Sequence, residues 1–217
     1  MLRALTPYGI VRNWDRRANK ASGTAPPADN PERLFDGADA LFKSLVGSAS
    51  VYGEYGCGKS SQWALKNSSA QVLSVDTSLD WIEKVRSQTM EYAHRLQIKH
   101  VDLGEMGAWG WPLRYRYRDR FWEYTDVLWQ QTKLPDVVLV DGRFRVCCFL
   151  TSLKYARPGT KILFDDYINR PHYHIVESYV PRVEVWGRQC LFVAPPADSL
   201  DMQALDREIA NFRHVLD

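Results

Sequence analysis

A short glycine-containing segment, VYGEYGCGKSS at residues 51–61, carries the residue types that most directly suggest ligand chemistry. Gly53, Gly58 and Lys59 belong to a G-x-x-x-x-G-K-[ST] pattern, whose backbone N–H groups cradle phosphates. The same segment also fits acidic-x-Gly-x-Gly-x-Ser, starting at Glu54. Both patterns place the loop before a helix N-terminus, whose exposed N–H groups favour a negatively charged ligand. The glycine spacing alone therefore leaves two interpretations open.

The next predicted strand favours the second interpretation. QVLSVD ends in Asp76, 18 residues after Gly58, where a Rossmann-like fold places a carboxylate that binds ribose hydroxyls. One carboxylate has two acceptor oxygens, so Asp76 can accept hydrogen bonds from both hydroxyls of one ribose. The phosphate-loop interpretation stays open, because VVLVD, ending in Asp141, also suits the Mg²⁺-binding strand of an NTPase.

Alternating β and α patterns predict the elements that position these residues. Strands interleaved with helices indicate a Rossmann-like, doubly wound α/β fold, and a Gly-Arg pair between two later β-rich runs predicts an antiparallel hairpin. The expected sheet has seven strands and is mostly parallel. The predicted strands are ASVYGEY, QVLSVD, IKHVDL, DVVLVDG, TKILFDD and the hairpin VEVWGRQCLFVAPP; the helices include SSQWALKNS, SLDWIEKVRSQTMEYAHRL, DRFWEYTDVLWQQTK, RFRVCCFLTSLKYA, PHYHIVESYV and a surface helix DMQALDREIANFRHVL.

Composition indicates one ordinary globular domain. The 217 residues are 45% hydrophobic and 25% charged, which is typical of soluble folded chains. Residues 1–29 lack periodicity and are expected to form an irregular arm, followed by a single domain at 30–217. That domain should begin with a helix at NPERLFDGADALFKSL, capped by Asn30 with Pro31 in its first turn.

Several partner classes are disfavoured by charge and hydropathy. A net charge of +2 gives no reason to expect nucleic acid as an obligatory partner. No apolar run approaches the roughly 20 residues of a membrane helix, and the first residues lack the apolar core of a signal peptide. The four cysteines have no zinc-ribbon spacing. We therefore expect a cytoplasmic protein with reduced thiols and no membrane partner.

The loop and the segments after it resemble class I S-adenosylmethionine-dependent methyltransferases. EYGCGKSSQWAL and VLSVDTSLDWIEKV are similar to segments of bacterial methyltransferase-like proteins, with an acidic-aromatic-Gly-x-Gly loop and an acid at the second strand end. DVVLVDGRFRVCCFLTSLKYARPGTKILFDDYINRPHYHIVE resembles the later half of that family, so the similarity runs from about residue 30 to 196. It implies methyl transfer from S-adenosylmethionine to an oxygen or nitrogen of a small-molecule or glycan-like acceptor.

The resemblance also implies which residues bind the cofactor. Gly56 and Gly58 would allow close approach to its methionine part, unless they serve a tight turn alone. Glu54 would lie beneath that part and act on its amino group directly or through water. Asp76 would bind the ribose, and Asp102 would hold the adenine amino group. The complete predicted set is Glu54, Gly56, Gly58, Ser60, Asp76, Thr77, Asp102 and Asp141.

For several residues in and near this set, two roles remain open. Lys59 departs from the family pattern, and we expect it to point away because an ammonium beside the cofactor's sulfonium is unfavourable. Thr77 and Ser78 either line the adenine or cap the next helix, with capping favoured for Ser78. Trp109 and Trp111 either close over a ring or pack against the sheet.

Asp141, Asp165 and Asp166 follow the fourth and fifth predicted strands and should share one crevice. Three close carboxylates repel one another unless they are protonated or bridged by a cation, and oxygen ligands suit Mg²⁺ or Ca²⁺. The related metal-dependent small-molecule O-methyltransferases hold a cation with acids at these strand ends. We therefore predict a Mg²⁺ site, with hydrogen bonds from Asp165 or Asp166 to loop amides as the alternative.

Candidate catalytic residues are Asp141 and His172, the latter in NRPHYHIVE beyond the fifth strand. A histidine near neutral pKa can deprotonate an acceptor, although a helix start after a proline is equally consistent with a structural role. Arg143 and Arg145 either recognise an acidic substrate or form surface ion pairs.

RYRYRDRFW at residues 114–122 alternates basic and aromatic residues, a pattern that can bind single-stranded nucleic acid. We favour a strand-like insertion that forms a substrate lid or a subunit contact, which leaves an oligomer open. Two other function classes also remain: a catalytically inactive cofactor-binding protein and a phosphate-loop NTPase.

Overall fold

A seven-stranded sheet organises the protein. The computed structural model describes residues 33–107 and 110–216, which belong to one compact unit, and the predicted arm at 1–29 lies outside the described residues. The strand order is β3-β2-β1-β4-β5-β7-β6. The strands are β1 Val51–Tyr55, β2 Gln71–Asp76, β3 Leu96–His100, β4 Val137–Val140, β5 Lys161–Phe164, β6 Glu184–Trp186 and β7 Gln189–Val193.

Strands β1 to β5 are parallel, whereas β7 runs antiparallel to both β5 and β6. The predicted doubly wound, mostly parallel sheet with an antiparallel hairpin is therefore confirmed. Helices flank it on both faces, and no helix within 33–107 or 110–216 is long and apolar enough to cross a membrane. The α-helices are α1 Ala40–Gly47, α2 Lys59–Asn67, α3 Leu79–Gln88, α4 Phe121–Asp126, α5 Arg145–Tyr155 and α6 Met202–Phe212.

Side chains alternate between two apolar layers along the central strands. In β1, Val51 and Tyr55 join the layer that contains residues of α4, α5 and α6, whereas Tyr52 joins the layer of α1 and α2. All five residues of β1 and all four of β4 are buried. Since both faces of the sheet are covered, groups that meet a ligand are confined to the strand ends.

The predicted leading helix begins later than expected. Asn30 and Pro31 lie outside the described residues, Phe35–Gly37 forms a single 3₁₀ turn, and the α-helix starts at Ala40. Asp36 has a φ of 58°, which breaks the helix, and its carboxylate pairs with the Arg188 guanidinium at 2.8 Å. Phe35 and Gly37 also have positive φ values, so the backbone of this turn cannot continue as an α-helix before Ala40.

Three other expectations need correction. PHYHIVESYV forms a 3₁₀ helix at Pro171–Ser178 instead of an α-helix, and RYRYRDRFW forms a 3₁₀ helix at Tyr115–Arg120 leading into α4 instead of a strand-like insertion. The helix at the end is not only a surface element, because Leu205 and Ile209 of α6 are buried. Their periodicity gives α6 one apolar face, which joins the same layer as α5.

Candidate functional site

The loop between β1 and α2 has three residues, Gly56, Cys57 and Gly58. Gly53, the first glycine of the phosphate-loop pattern, lies inside β1, where a Cβ atom would stand 2.7 Å from Pro135 Cγ. The packing against Pro135 therefore explains why position 53 is a glycine. A loop this short does not wrap a phosphate, so the geometry disfavours the phosphate-loop interpretation.

The two loop glycines face different surroundings. Gly56 has a φ of 91°, and a Cβ atom there would lie 3.0 Å from Gly142 Cα and 3.1 Å from the Asp141 carbonyl oxygen. Gly56 is therefore required by the protein itself. At Gly58 the backbone is extended, and a Cβ would meet no atom within 4 Å. The absent side chain of Gly58 leaves room above the loop, which fits a bound cofactor.

Glu54 lies beneath the loop with no exposed surface. Its Oε2 accepts hydrogen bonds from Tyr52 Oη at 2.9 Å and Ser60 Oγ at 2.7 Å, and its Oε1 accepts from the hydroxyls of Ser61 and Ser74. Burial raises the pKa of Glu54, and the hydroxyl groups oppose that rise. The carboxylate joins the first turn of α2 to β1 and β2, so it supports the loop from beneath.

This network also fixes Ser60, which is buried and points its hydroxyl into the protein. Sequence reasoning missed Ser61 and Ser74. A serine within the otherwise apolar strand QVLSVD was the available signal, because a buried hydroxyl needs a partner. Lys59 is exposed at the first position of α2.

Asp76 connects the ends of the first two strands. Its Oδ2 accepts a 2.8 Å hydrogen bond from Cys57 N, and its Oδ1 accepts one of 2.8 Å from Ser78 N. Each carboxylate oxygen can accept a second bond, and Asp76 is only partly buried. The predicted helix cap is confirmed, since Ser78 Oγ accepts from Trp81 N at the start of α3.

Thr77 and Asp102 lie beside this corner. Thr77 is buried, and its hydroxyl donates to the Gly110 carbonyl oxygen at 3.4 Å. Asp102 stands two residues beyond the end of β3, not within it, and is exposed. Its Oδ1 accepts from Gly104 N at 2.9 Å, so it orders the loop while keeping acceptor capacity.

The neighbouring loop brings aromatic side chains toward the strand ends. The Arg143 guanidinium lies 5.2 Å from the centre of the half-buried Trp111 ring, and Trp109 is outside the described residues. Tyr117 packs against Gly104, and Tyr115 Oη donates to the His214 carbonyl oxygen at 3.2 Å. Both tyrosines of RYRYR contact their own chain, which disfavours a stacking surface for nucleic acid.

The structure brings Asp141, Asp165 and Asp166 together, with one oxygen of each within 4.8 Å of the others. The buried Arg145 bonds to Asp141 Oδ1 at 2.9 Å and Asp166 Oδ2 at 3.2 Å. It is thus not the surface arginine that the sequence suggested. Burial and the charge of Asp165 raise the pKa of Asp141 to about 8, and Arg145 opposes that rise.

Two arginines that sequence reasoning missed complete this cluster. Arg188, in the β6–β7 turn, donates to both carboxylate oxygens of Asp165, at 3.1 and 2.7 Å. Arg170 contacts Asp166 at 3.1 Å. Burial raises the pKa of Asp166, but its arginine neighbours outweigh burial and lower it.

The two predicted catalytic residues occupy different settings. Asp141 belongs to the ionic cluster and keeps 29% of its side chain exposed. His172 is exposed on the 3₁₀ helix after β5, with its ring centre 4.3 Å from that of Tyr173. His174 is structural, because its Nε2 is 3.2 Å from the Tyr167 carbonyl oxygen and its ring stacks on Tyr167.

Solved structures with a similar fold include several methyltransferases. A methyltransferase-like protein from Silicibacter pomeroyi DSS-3 is 30% identical, with a TM-score of 0.67, over 87% of this chain and 96% of that one. A methyltransferase from Geobacter sulfurreducens is 12% identical, and the O-methyltransferase TomG from Streptomyces achromogenes, in complex with S-adenosylmethionine, is 17% identical. Both have TM-scores of 0.51 over 90% of this chain and 92% of theirs. No family model and no curated protein matches.

Replacing each loop glycine by alanine should separate their roles. Gly56→Ala should lower the free energy of unfolding by about 2 kcal/mol, because its positive φ and the Gly142 contact leave no room for a side chain. Gly58→Ala should change it by less than about 0.5 kcal/mol, since its Cβ enters open space. Urea unfolding followed by circular dichroism measures both. Equal losses in the two variants would contradict the assignment.

Removing the buried carboxylate should be severely destabilising. Glu54→Ala strands four hydroxyl groups in the interior, and we expect a loss of about 3 kcal/mol or more. The matched control is Glu105→Ala, which removes an exposed carboxylate and should be near neutral. Denaturant midpoints of the two variants give the comparison, and a Glu54→Ala loss under about 1 kcal/mol would refute the support role.

Proposed function

Because the chain belongs to the class I S-adenosylmethionine-dependent methyltransferases, we propose that it methylates an oxygen or nitrogen of a small-molecule or glycan-like acceptor. The cofactor supplies an electrophilic methyl group on a sulfonium. The acceptor heteroatom forms the new bond to carbon and loses its proton, and the carbon–sulfur electron pair leaves with S-adenosylhomocysteine. The chain's own task is to hold the two reactants in line.

The observation that carries this proposal is the open space at Gly58 next to Asp76. A Cβ at Gly58 would meet nothing within 4 Å, while Asp76 is held against the same loop by its 2.8 Å bond from Cys57 N. A ligand lying over Gly58 would therefore have a carboxylate beside it. That combination suits a nucleoside whose ribose is bound at the end of the second strand.

We assign the remaining cofactor contacts from the places of the residues at the strand ends. Thr77 and Asp102 follow β2 and β3, on the side where an adenine would extend from a ribose held by Asp76. Glu54 and Ser60 act one layer below, by fixing the start of α2. Asp141, partly exposed after β4, would face the methyl group and the acceptor.

We expect the protein to activate the acceptor mainly by holding it in the right orientation, and less by deprotonating it with a strong base. Asp141 Oδ1 is bonded to Arg145, which restrains this carboxylate while part of it stays exposed. We propose that Asp141 orients the acceptor hydroxyl or amine. His172 is a second candidate proton acceptor from the exposed 3₁₀ helix after β5.

A catalytically inactive cofactor-binding protein is the second candidate, and the ionic cluster favours it. All three acids that could assist an acceptor are paired with arginines. Incubation with methyl-labelled S-adenosylmethionine and panels of phenols, amines and oligosaccharides separates the two candidates. Label transfer to any acceptor supports the enzyme, and cofactor binding without transfer across the panel supports the inactive protein.

Asp76 should recognise the ribose. Asp76→Ala should weaken S-adenosylhomocysteine binding about 10- to 100-fold, since a hydrogen bond to a charged group contributes about 1.5–3 kcal/mol. Calorimetric titration measures the affinity. The exposed Asp80→Ala serves as control and should bind like wild type.

The 2′-deoxy analogue of S-adenosylhomocysteine distinguishes ribose recognition from loop damage. Wild type should lose affinity for the analogue, whereas Asp76→Ala should bind both ligands equally weakly. An undiminished preference for the ribose compound in Asp76→Ala would refute the assignment. Binding of Mg²⁺-ATP that Lys59→Ala abolishes would instead support the NTPase.

Gly58→Ala should weaken S-adenosylhomocysteine binding without unfolding the protein. Its added methyl group enters the space that the cofactor is proposed to occupy. We expect about a tenfold loss of affinity by calorimetry with an unchanged melting temperature. Wild-type affinity in Gly58→Ala would place the cofactor elsewhere.

A further inference from the structure

The three clustered carboxylates present a charge problem that methyl transfer does not solve. One oxygen from each of Asp141, Asp165 and Asp166 lies within 4.8 Å of the other two. Asp165 has no exposed surface and the other two are partly covered, so repulsion is poorly screened by water. A divalent cation bound by the carboxylate oxygens would neutralise this cluster, and the sequence predicted a Mg²⁺ site on that ground. Positively charged side chains are the other solution.

Arg145 supplies the first positive charge, and its guanidinium is fully used in hydrogen bonds. A guanidinium has five N–H donors, and five acceptors surround this one. They are the carbonyl oxygens of Asp141, Gly142 and Asp165 and the carboxylates of Asp141 and Asp166, at 2.8 to 3.4 Å. Only 4% of the side chain is exposed, and displacing Arg145 to admit an ion would break these five hydrogen bonds.

Arg188 and Arg170 supply the second and third charges. Arg188 grips both oxygens of Asp165 in a fork at 2.7 and 3.1 Å and approaches Asp166 at 3.3 Å. Arg170 reaches Asp166 at 3.1 Å. Three guanidinium groups thus face three carboxylates. Fork-shaped pairing of this kind fixes geometry as well as charge.

We propose that Arg145, Arg170 and Arg188 take the place of a divalent cation in this site, so that the protein neither binds nor needs Mg²⁺ there. An octahedral Mg²⁺ requires oxygens at about 2.1 Å on all sides. Five of the six carboxylate oxygens of Asp141, Asp165 and Asp166 pair with guanidinium groups, and the residues therefore do not fit the metal. This inference does not depend on methyl transfer, because it concerns ion binding alone.

Removing guanidinium groups should create the metal site that wild type lacks. Arg145→Met leaves Asp141 and Asp166 without their buried partner and opens a pocket lined by carboxylate oxygens. Mn²⁺ is the probe, because its electron paramagnetic resonance signal weakens on binding. We expect no binding to wild type at about 1 mM Mn²⁺, and binding to Arg145→Met with a Kd at least about tenfold below that concentration.

Thermal melting gives a second readout. The melting temperature of Arg145→Met should fall below that of wild type, since an unpaired buried charge is strongly destabilising. MgCl₂ should raise it again, and NaCl of equal ionic strength should not. Arg182→Met is the control, because it removes an exposed arginine that pairs with Glu177 outside the cluster.

If Arg145→Met does not fold, the double variant Arg170→Met/Arg188→Met tests the same idea on side chains that are 27–28% exposed. It should also gain Mn²⁺ affinity. Folded variants without such a gain would overturn the proposal. So would micromolar Mn²⁺ binding by wild type that Asp165→Asn abolishes, because the acids would then hold a metal despite the arginines.

Discussion

Burial of both faces of a parallel sheet constrains everything else in this protein. Along β1 and β4 no residue reaches solvent, so a charged side chain there must find its partners inside. Glu54 of β1 does so with four hydroxyl groups, and Asp165, which is buried directly after β5, does so with the fork of Arg188. Each solution also ties separate elements together. The polar interior therefore determines how the loops at the strand ends are held.

Those loops touch one another before any ligand arrives. Gly56, after β1, and Gly142, after β4, approach so closely that a Cβ on Gly56 would lie 3.0 Å from Gly142 Cα. Asp76 adds its bond to Cys57 N from the end of β2. Three strand ends are thus joined around Gly58, which alone in the three-residue loop faces open space. In the proposed function, these joined loops would orient the cofactor, since orientation supplies much of the rate in methyl transfer.

The sequence pattern predicted the features that depend on interactions between near neighbours in the chain. QVLSVD becomes β2 residue for residue, and Ser78 caps α3, because strand alternation and capping involve near neighbours. Asp36 and Arg145 escaped prediction for the opposite reason. Asp36 pairs with a residue 152 positions away, and Arg145 bonds to Asp166, 21 positions away, as well as to nearby Asp141. The local sequence pattern does not reveal the distant partners. The cluster of acids was foreseen from strand ends alone, whereas the cations that neutralise it were not.

The antiparallel hairpin explains how the Arg188 guanidinium comes to lie beside the acids. In the β5–β7 pairing, Phe164 at the end of β5 lies opposite Cys190 near the start of β7. The turn before β7 therefore stands at the carboxyl end of β5, beside Asp165 and Asp166, and carries Arg188 there. A parallel β7 would begin at the opposite ends of the strands, roughly 13 Å away for a strand of five residues. Reversal of one strand thus delivers a positive charge to the edge where the acids converge.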